Sequence, residues 1–311
     1  MNFHLNYLPP KLEFELTHQS NLLLIGSCFS TNISKLLQED GFMVDVNPFG
    51  VTYNPISIFQ QLEYIKNCSE YDQKLFLKTT DGVFHYQAHS SINSDNEENL
   101  NFFINQIIKK FNQKLKRSDY LIITFGSAYY YTLNDSAVAN CHKQPSKLFQ
   151  KKLFELNDTT QFANYIAAIK EFNPNLKIIF TVSPVLHLKD GLEENFISKS
   201  TLRLLIEMLV KKFPSFCYYF PSYELVNFDL RDYRFYKDDL AHPNDQAIDY
   251  VYDKFKTVCC SIETLKIAKE INSLSKLKQH IVLNPDGKNL HLKKIEALTR
   301  ELVLKYPYLN L

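Results

Sequence analysis

The chain has 311 residues, 35 of them basic and 34 acidic, and 45% of it is hydrophobic. A net charge of +1 gives no sign of the one-signed field of nucleic-acid or membrane-surface proteins, and the length suffices for one large domain with an appendage or for two domains. The six cysteines make no CxxC pair and read as reduced thiols of a cytoplasmic protein. The stretch Met1 to Ser20 has no basic patch followed by an apolar core, so no signal peptide is expected, although a processed secreted form would read the same way. No stretch is long and apolar enough to span a bilayer.

In chain order, Leu8 to Pro10 reads as an extended arm. Leu22 to Ile25 is an apolar run without alternation, the pattern of a strand buried on both faces of a parallel sheet. It stops at Gly26-Ser27-Cys28, and Thr31 to Gln38 then carries Ile33, Leu36 and Leu37 on one helical stripe. Ser27 is therefore expected in a tight strand-to-helix turn at the carboxyl edge of the sheet. Ligands bind at that edge in open α/β sheets, and the helix N-terminus favours developing negative charge. Gly41 ends the helix, Phe42 to Val46 reads as a second strand, Asn47 to Pro55 as a turn-rich loop and Ile56 to Lys66 as a helix. Lys74 to His89 reads as a hairpin about Asp81-Gly82, and Leu100 to Phe111 as a helix.

Tyr120 to Thr124 is a third buried strand ending at Gly126, and the polar segment Ser127 to Gln150 is expected to be irregular. A helix over Thr160 to Phe172, a strand over Lys177 to Val182, a helix over Thr201 to Lys212 and a strand over Phe216 to Phe220 follow. Asp229 to Asn244 reads as a charged, aromatic loop, and a helix begins at Ala247. This alternation predicts an α/β fold, a doubly wound, mostly parallel sheet flanked by helices, over residues 1–260. Leu265 to Leu277 and Leu290 to Leu304 have helical spacing and predict a small helical appendage over 261–311.

The chemistry-bearing residues lie at the two ends of the domain. Asp239 and His242 are three apart on a short turn, where the carboxylate can accept from one ring nitrogen and fix the tautomer. The other nitrogen is then free to take a proton from a serine hydroxyl, and the topology can bring Ser27 to it. The competing reading of Ser27 is a helix N-cap. Cys28 is a rival nucleophile but reads as packing. His85 and His89 sit in a predicted strand, where four residues span about 13 Å, too far for one ion. His187 and Lys189 follow a strand end and read equally as substrate contacts or as structural loop. Arg231, Asp232 and Arg234 read first as ion pairs holding the loop, with the Arg234 fork also suited to an anionic group. Asn195 and Lys199 read as capping and solvated positions. The run Tyr129-Tyr130-Tyr131 suits stacking on a sugar ring as well as a core or rim. No phosphate-binding glycine loop or dinucleotide fingerprint is present.

The residues G-S-C-F at 26–29 are similar to the motif that names the GSCFA family, found mainly in bacteria and related to the SGNH (GDSL-like) hydrolases. NPFGVTYNP at 47–55, TFGSA at 124–128, NCHKQPSKLF from Asn140, SPVLHLKDG at 183–191 with NFISKS after it, YFPSYELV at 219–226 and RDYRFYKDDLAHP at 231–243 resemble that family too. The resemblance implies Ser27 as nucleophile, Asp239 as orienting carboxylate and His242 as general base. It also implies an oxyanion hole from the Ser27 N–H, a glycine after the second strand, matched by Gly50, and an asparagine after the third. That last position departs from the family's relatives: G-x-N-D would begin at Gly126, and the chain reads Gly126-Ser127-Ala128-Tyr129. Asn54 and Asn140 are the alternatives for the missing amide, and one absent donor costs roughly 100- to 1,000-fold in turnover. The implied activity is an esterase or deacylase acting on an O-acyl group of a sugar or other small polar molecule. An acyltransferase or a catalytically weak carbohydrate-binding protein on the same fold is the alternative. The expected partners are an acylated saccharide or other small-molecule substrate and no nucleic acid or membrane. No metal or organic cofactor is expected, and the appendage is a possible homodimer contact.

Overall fold

The computed structural model describes residues 4–280, 282 and 284–309. Leu22 to Ile25 are all at most 2% exposed because β1 (Asn21–Gly26) is an inner strand of the main sheet. It is followed by α1 (Cys28–Glu39), β2 (Met43–Val46) and α2 (Pro55–Asn67). The hairpin forms as β3 (Phe76–Thr79) and β4 (Gly82–His85), and α3 (Glu97–Arg117) leads into β5 (Tyr120–Phe125). After β6 (Tyr129–Leu133), β7 (Ser136–Val138) and β8 (Gln150–Leu153) come α4 (Thr159–Phe172), β9 (Lys177–Val182), α5 (Leu192–Lys212) and β10 (Cys217–Tyr219). A single turn α6 (Ser222–Glu224) runs on as a π-helix over Leu225–Leu230, and α7 (Asp245–Cys259), α8 (Ile262–Gln279) and α9 (Pro285–Lys305) complete the chain.

The main sheet has the order β10-β9-β5-β1-β2 with every pair parallel. Leu22 stands between Val44 on β2 and Tyr120 on β5, and Ile123 pairs with Phe180 on β9. Alternate β1 side chains enter opposite cores. Leu23 and Ile25 join Phe59, Ile104, Ile166 and Leu205 from α2 to α5, whereas Leu22 and Leu24 join Phe29, Ile33, Val251 and Phe255 from α1 and α7. Two buried faces explain why the strands read as unbroken apolar runs. The strand order reverses between β1 and β5. Loops leaving those two strands diverge to opposite sides there and open a crevice at their carboxyl ends.

Four expectations about elements are corrected. The segment Ser127 to Gln150 is not irregular: it builds a three-stranded antiparallel sheet of order β7-β6-β8. Asn134 and Asp135 both take positive φ (47° and 64°), the two-residue turn that hairpins favour, so turn geometry sets a pairing that the polar composition hides. Helix α5 starts at Leu192, nine residues before the expected start, because Asn195, Ser198 and Lys199 of its first turns face inward and break the apolar stripe. Helix α3 spans 21 residues, extended beyond its apolar centre by charged ends. Helix α1 starts at Cys28, directly after Ser27.

Helix α8 lies against α1. Asn272 Nδ2 donates to Asp40 Oδ1 (2.8 Å) and Ser275 Oγ to Glu39 O (2.8 Å), while Tyr252 and Lys256 of α7 donate to Asp40 Oδ2. Among the described residues no helix is long and apolar enough to cross a membrane.

Candidate active site

The turn after β1 is shaped by what it cannot hold. Gly26 has φ +146°, and a Cβ there would stand 2.2 Å from Thr124 O, so strand pairing with β5 requires a glycine. Asn47 pins the same turn: its Oδ1 accepts from Gly26 N–H (2.8 Å) and its Nδ2 donates to Thr31 Oγ1 (3.2 Å). Ser27 is 4% exposed, its hydroxyl capping α1 by accepting from Phe29 N–H (3.3 Å) and its own N–H donating to Thr124 O (3.2 Å). The capping reading therefore describes the resting position of this hydroxyl.

The loops after β2 and β5 are laced to that turn. Thr52 N–H donates to Gly26 O (3.1 Å), and Tyr53 O accepts from both Gly126 N–H (2.7 Å) and Ser127 N–H (3.2 Å). Gly126 is confined, since a Cβ on it would meet Tyr53 Cβ at 2.7 Å. Gly50 has φ +77° with the His89 side chain 2.3 Å from its missing Cβ, and its N–H donates to Asn47 O (2.9 Å). Asn54 is buried and caps α2 through Oδ1, which accepts from Ser57 N–H (2.8 Å), and among the described residues its Nδ2 makes no hydrogen bond. Asn140 Oδ1 accepts from His142 N–H (2.7 Å) and its N–H donates to Tyr86 O (3.1 Å), and neither asparagine is among the residues that line the cleft of this site.

The late loop is folded around its carboxylate. Asp239 Oδ1 accepts from the N–H groups of Ala241 and His242 (2.9 Å each), and Oδ2 meets His242 Nδ1 at 2.6 Å. Those backbone N–H groups of His242 and Ala241, with the His242 ring after them, lower the Asp239 carboxyl to about 2. Among the described residues His242 Nε2 makes no hydrogen bond, and none joins Ser27 to His242. The loop closes on itself through Lys237 N–H donating to His242 O (2.8 Å), and the Lys237 charge favours the thiolate of Cys28 after the first turn. Leu186 N–H donating to Ala241 O (3.0 Å) ties the same loop to the segment after β9.

Between these segments opens a cleft of about 470 Å³, with Tyr53, Ser127, Tyr129, Tyr131, His187 and the Asp239–His242 couple in its walls. Lys151 sits over the Tyr129 ring (4.1 Å) and pairs with Asp190 (2.5 Å), and Tyr129 OH donates to Glu194. Burial, then the charge of Lys199, brings His187 down to about 4, so its ring is neutral near pH 7. Arg234 is exposed and pairs with Asp232 (2.9 Å), and it is not among the residues that line this cleft. Cys28 is half-buried, and burial pushes its thiol up, the direction of an inert cysteine. Among the described residues no group of His, Cys, Asp and Glu is placed to hold a metal ion.

The structure corrects the expectation of a solvated Lys199. Lys199 is 2% exposed, and its Nζ donates to Gly126 O (2.6 Å) and Ser183 O (2.9 Å), the carbonyls that follow β5 and β9. The spacing Asn195, Ser198, Lys199 is the signal that could have found it, because positions i, i+3 and i+4 share one helix face.

The GSCFA family model matches residues 21–255 of this chain. No curated protein is significantly similar to it in sequence. Among solved structures it is similar to a family two carbohydrate esterase from Clostridium thermocellum in complex with cellohexaose, at 9% identity and a TM-score of 0.41. That match covers 79% of this chain and 65% of the esterase, so this chain spans slightly less than two thirds of that protein. It is also similar to a carbohydrate esterase family 2 enzyme plus carbohydrate binding domain from Corynascus thermopiles (Myceliophthora fergusii), at 11% identity and a TM-score of 0.40, over 84% of this chain and 68% of that one.

Proposed function

The chain belongs to the GSCFA family, and from that premise and the cleft geometry we propose that it is a serine hydrolase cleaving an O-acyl ester. Ser27 is the nucleophile, His242 the general base and Asp239 the carboxylate that orients it. The observation that carries this reading is the 2.6 Å contact of Asp239 Oδ2 with His242 Nδ1, in a cleft beside the Ser27 turn. With Nδ1 committed to the carboxylate, Nε2 is the basic nitrogen, and among the described residues it makes no hydrogen bond. The Ser27 hydroxyl gives up a long 3.3 Å capping contact to reach it. Ser27 Oγ then bonds to the acyl carbon as its proton passes to His242. The proton goes on to the leaving alcohol, and water, activated by the same nitrogen, releases the acid.

Of the two alternatives for the oxyanion amide, Asn54 is the better supported. It directly follows Tyr53 of the cleft wall, and among the described residues its Nδ2 makes no hydrogen bond, whereas no residue next to Asn140 lines the cleft. Tyr53, Tyr129 and Tyr131 offer aromatic surface with hydroxyl edges, which suits an acylated sugar or similar polyol, and the cleft volume is within the roughly 300–1,000 Å³ usual for small-molecule sites. One observation favours slow turnover, acyl transfer or binding on the same site. The N–H groups of Ser27 and Gly50 both donate to backbone carbonyls, Thr124 O and Asn47 O, so neither points freely at an oxyanion in the resting fold.

A fluorophosphonate probe and p-nitrophenyl acetate test the reading. Labelling is expected on Ser27 and is expected to vanish in Ser27→Ala, and His242→Asn is expected to lower kcat by at least about 1,000-fold. A folded protein that takes no label at Ser27 overturns the hydrolase. Saccharide binding unchanged by Ser27→Ala, in that case, establishes the binding reading.

A further inference from the structure

We propose that Asn195, Ser198 and Lys199 form a positioning clamp on α5 that fixes the loops after β5 and β9, and with them Ser127 and His187, in the geometry the reaction needs. Its kinetic consequence rests on the esterase reading above; its geometry does not.

The three side chains face inward from the first turns of α5 and are 5%, 1% and 2% exposed. Between them they engage four backbone groups in the two loops. Asn195 Oδ1 accepts from His187 N–H (2.9 Å), and Ser198 Oγ accepts from Ala128 N–H (2.8 Å). Lys199 Nζ donates to Gly126 O and Ser183 O (2.6 and 2.9 Å). Ser198 Oγ also lies 3.4 Å from Ser127 Oγ, which lines the cleft. Gly126 and Ser183 directly follow the neighbouring strands β5 and β9, so one ammonium bridges the two ends beside the crevice.

Stability alone does not account for a lysine here. Among the described residues Lys199 makes no ion pair; the Tyr223 ring stands at 5.7 Å, and the Cys28 thiol and His187 ring lie within the field of its charge. An ammonium buried without a carboxylate is costly, and apolar or amide side chains fill such a space more cheaply. Burial takes Lys199 to about 7, which keeps a full or partial charge beside His187 at neutral pH. The groups facing the His187 ring come from four elements besides its own turn. They are Lys199 on α5, the Gly126 carbonyl after β5, His242 before α7 and the Tyr53 ring (5.9 Å) before α2, with Asp190 on its own turn. The clamp thus fixes the place of the cleft histidine, and its ammonium adds to the burial that disfavours the imidazolium.

The test uses the full chain with Lys199→Met and Ser198→Ala, read by kcat and KM on p-nitrophenyl acetate and by NMR titration of the His187 ring. Lys199→Met is expected to lower kcat about 10- to 100-fold with KM within about two-fold. It is also expected to move the His187 titration up by about one pH unit, since a positive neighbour is lost. Ser198→Ala is expected to lower kcat about 10-fold and leave that titration in place, because the Lys199 charge stays. Folded Lys199→Met with wild-type kcat overturns the clamp, whether or not the titration moves. If Lys199→Met does not fold, Ser198→Ala with wild-type kcat overturns it. If the wild type has no esterase activity, the proposed function fails, and the clamp is then decided by the His187 titration and the backbone shifts of residues 126–128 and 183–187, which must move in Lys199→Met.

Discussion

His187 and Asp239 carry opposite lessons about ionisation at a cleft. His187 is uncharged down to about pH 4 because burial, and then Lys199, disfavours the imidazolium. Its folded value lies below the usual histidine range, so between about pH 6.5 and about pH 4 the unfolded chain binds the extra proton and stability falls as pH falls. His85, also brought to about 4 by burial, adds to the same loss. We expect thermal stability to decline across that window and His187→Gln to flatten part of the decline, measured as melting temperature against pH. A variant curve parallel to the wild type would contradict the assignment. Asp239 is shifted by hydrogen bonds to its charged form while exposed to solvent, so it orders its loop without adding appreciably to global stability. The Asp239–His242 couple was legible in the sequence because its partners are three residues apart. The resting role of the Ser27 hydroxyl as a cap was legible only as one of two readings, since both need the same strand-to-helix turn.

At the scale of elements, the β1 turn α1 junction is the tightest joint in the site. An alanine at Gly26 would place its Cβ 2.2 Å from Thr124 O at φ +146°, against backbone that cannot yield without breaking the β1–β5 ladder. Gly26→Ala is expected to destabilise the protein by more than about 3 kcal/mol, or to prevent folding, as read from the denaturant midpoint. A loss below 1 kcal/mol would show that the junction is softer than its contacts imply. Helix α5 and the β7-β6-β8 sheet show why the sequence misled. Periodicity reports apolar faces, and α5 opens with a polar face turned inward toward backbone groups. The small sheet is held by pairing across short strands whose tyrosines and lysines give no clean alternation.

For the molecule as a whole, the buried carboxylate of Asp40 joins α1 and α7 to α8. Asn272→Ala removes one hydrogen bond to a charged, buried acceptor and is expected to cost about 1–3 kcal/mol. We propose that residues 1–260 fold without the last 51 residues. Truncation after Cys260 is then expected to leave a cooperative transition with a lowered melting temperature, because Asp40 and the Gly41 contact with Ile271 become exposed. Loss of any transition would show that α8 belongs to the main domain.

The sequence by itself determined the class of fold, the order of its buried strands and the two short motifs at its ends, because these depend on apolar runs and on neighbours within a few residues. Tertiary structure decided what a long-range contact decides: the reversal of strand order that opens the cleft, the aromatic walls that line it and the inward lysine that bridges two strand ends. These depend on residues far apart in the chain meeting across the sheet: the spacing of Asn195, Ser198 and Lys199 marks one helix face, but not which carbonyls that face meets.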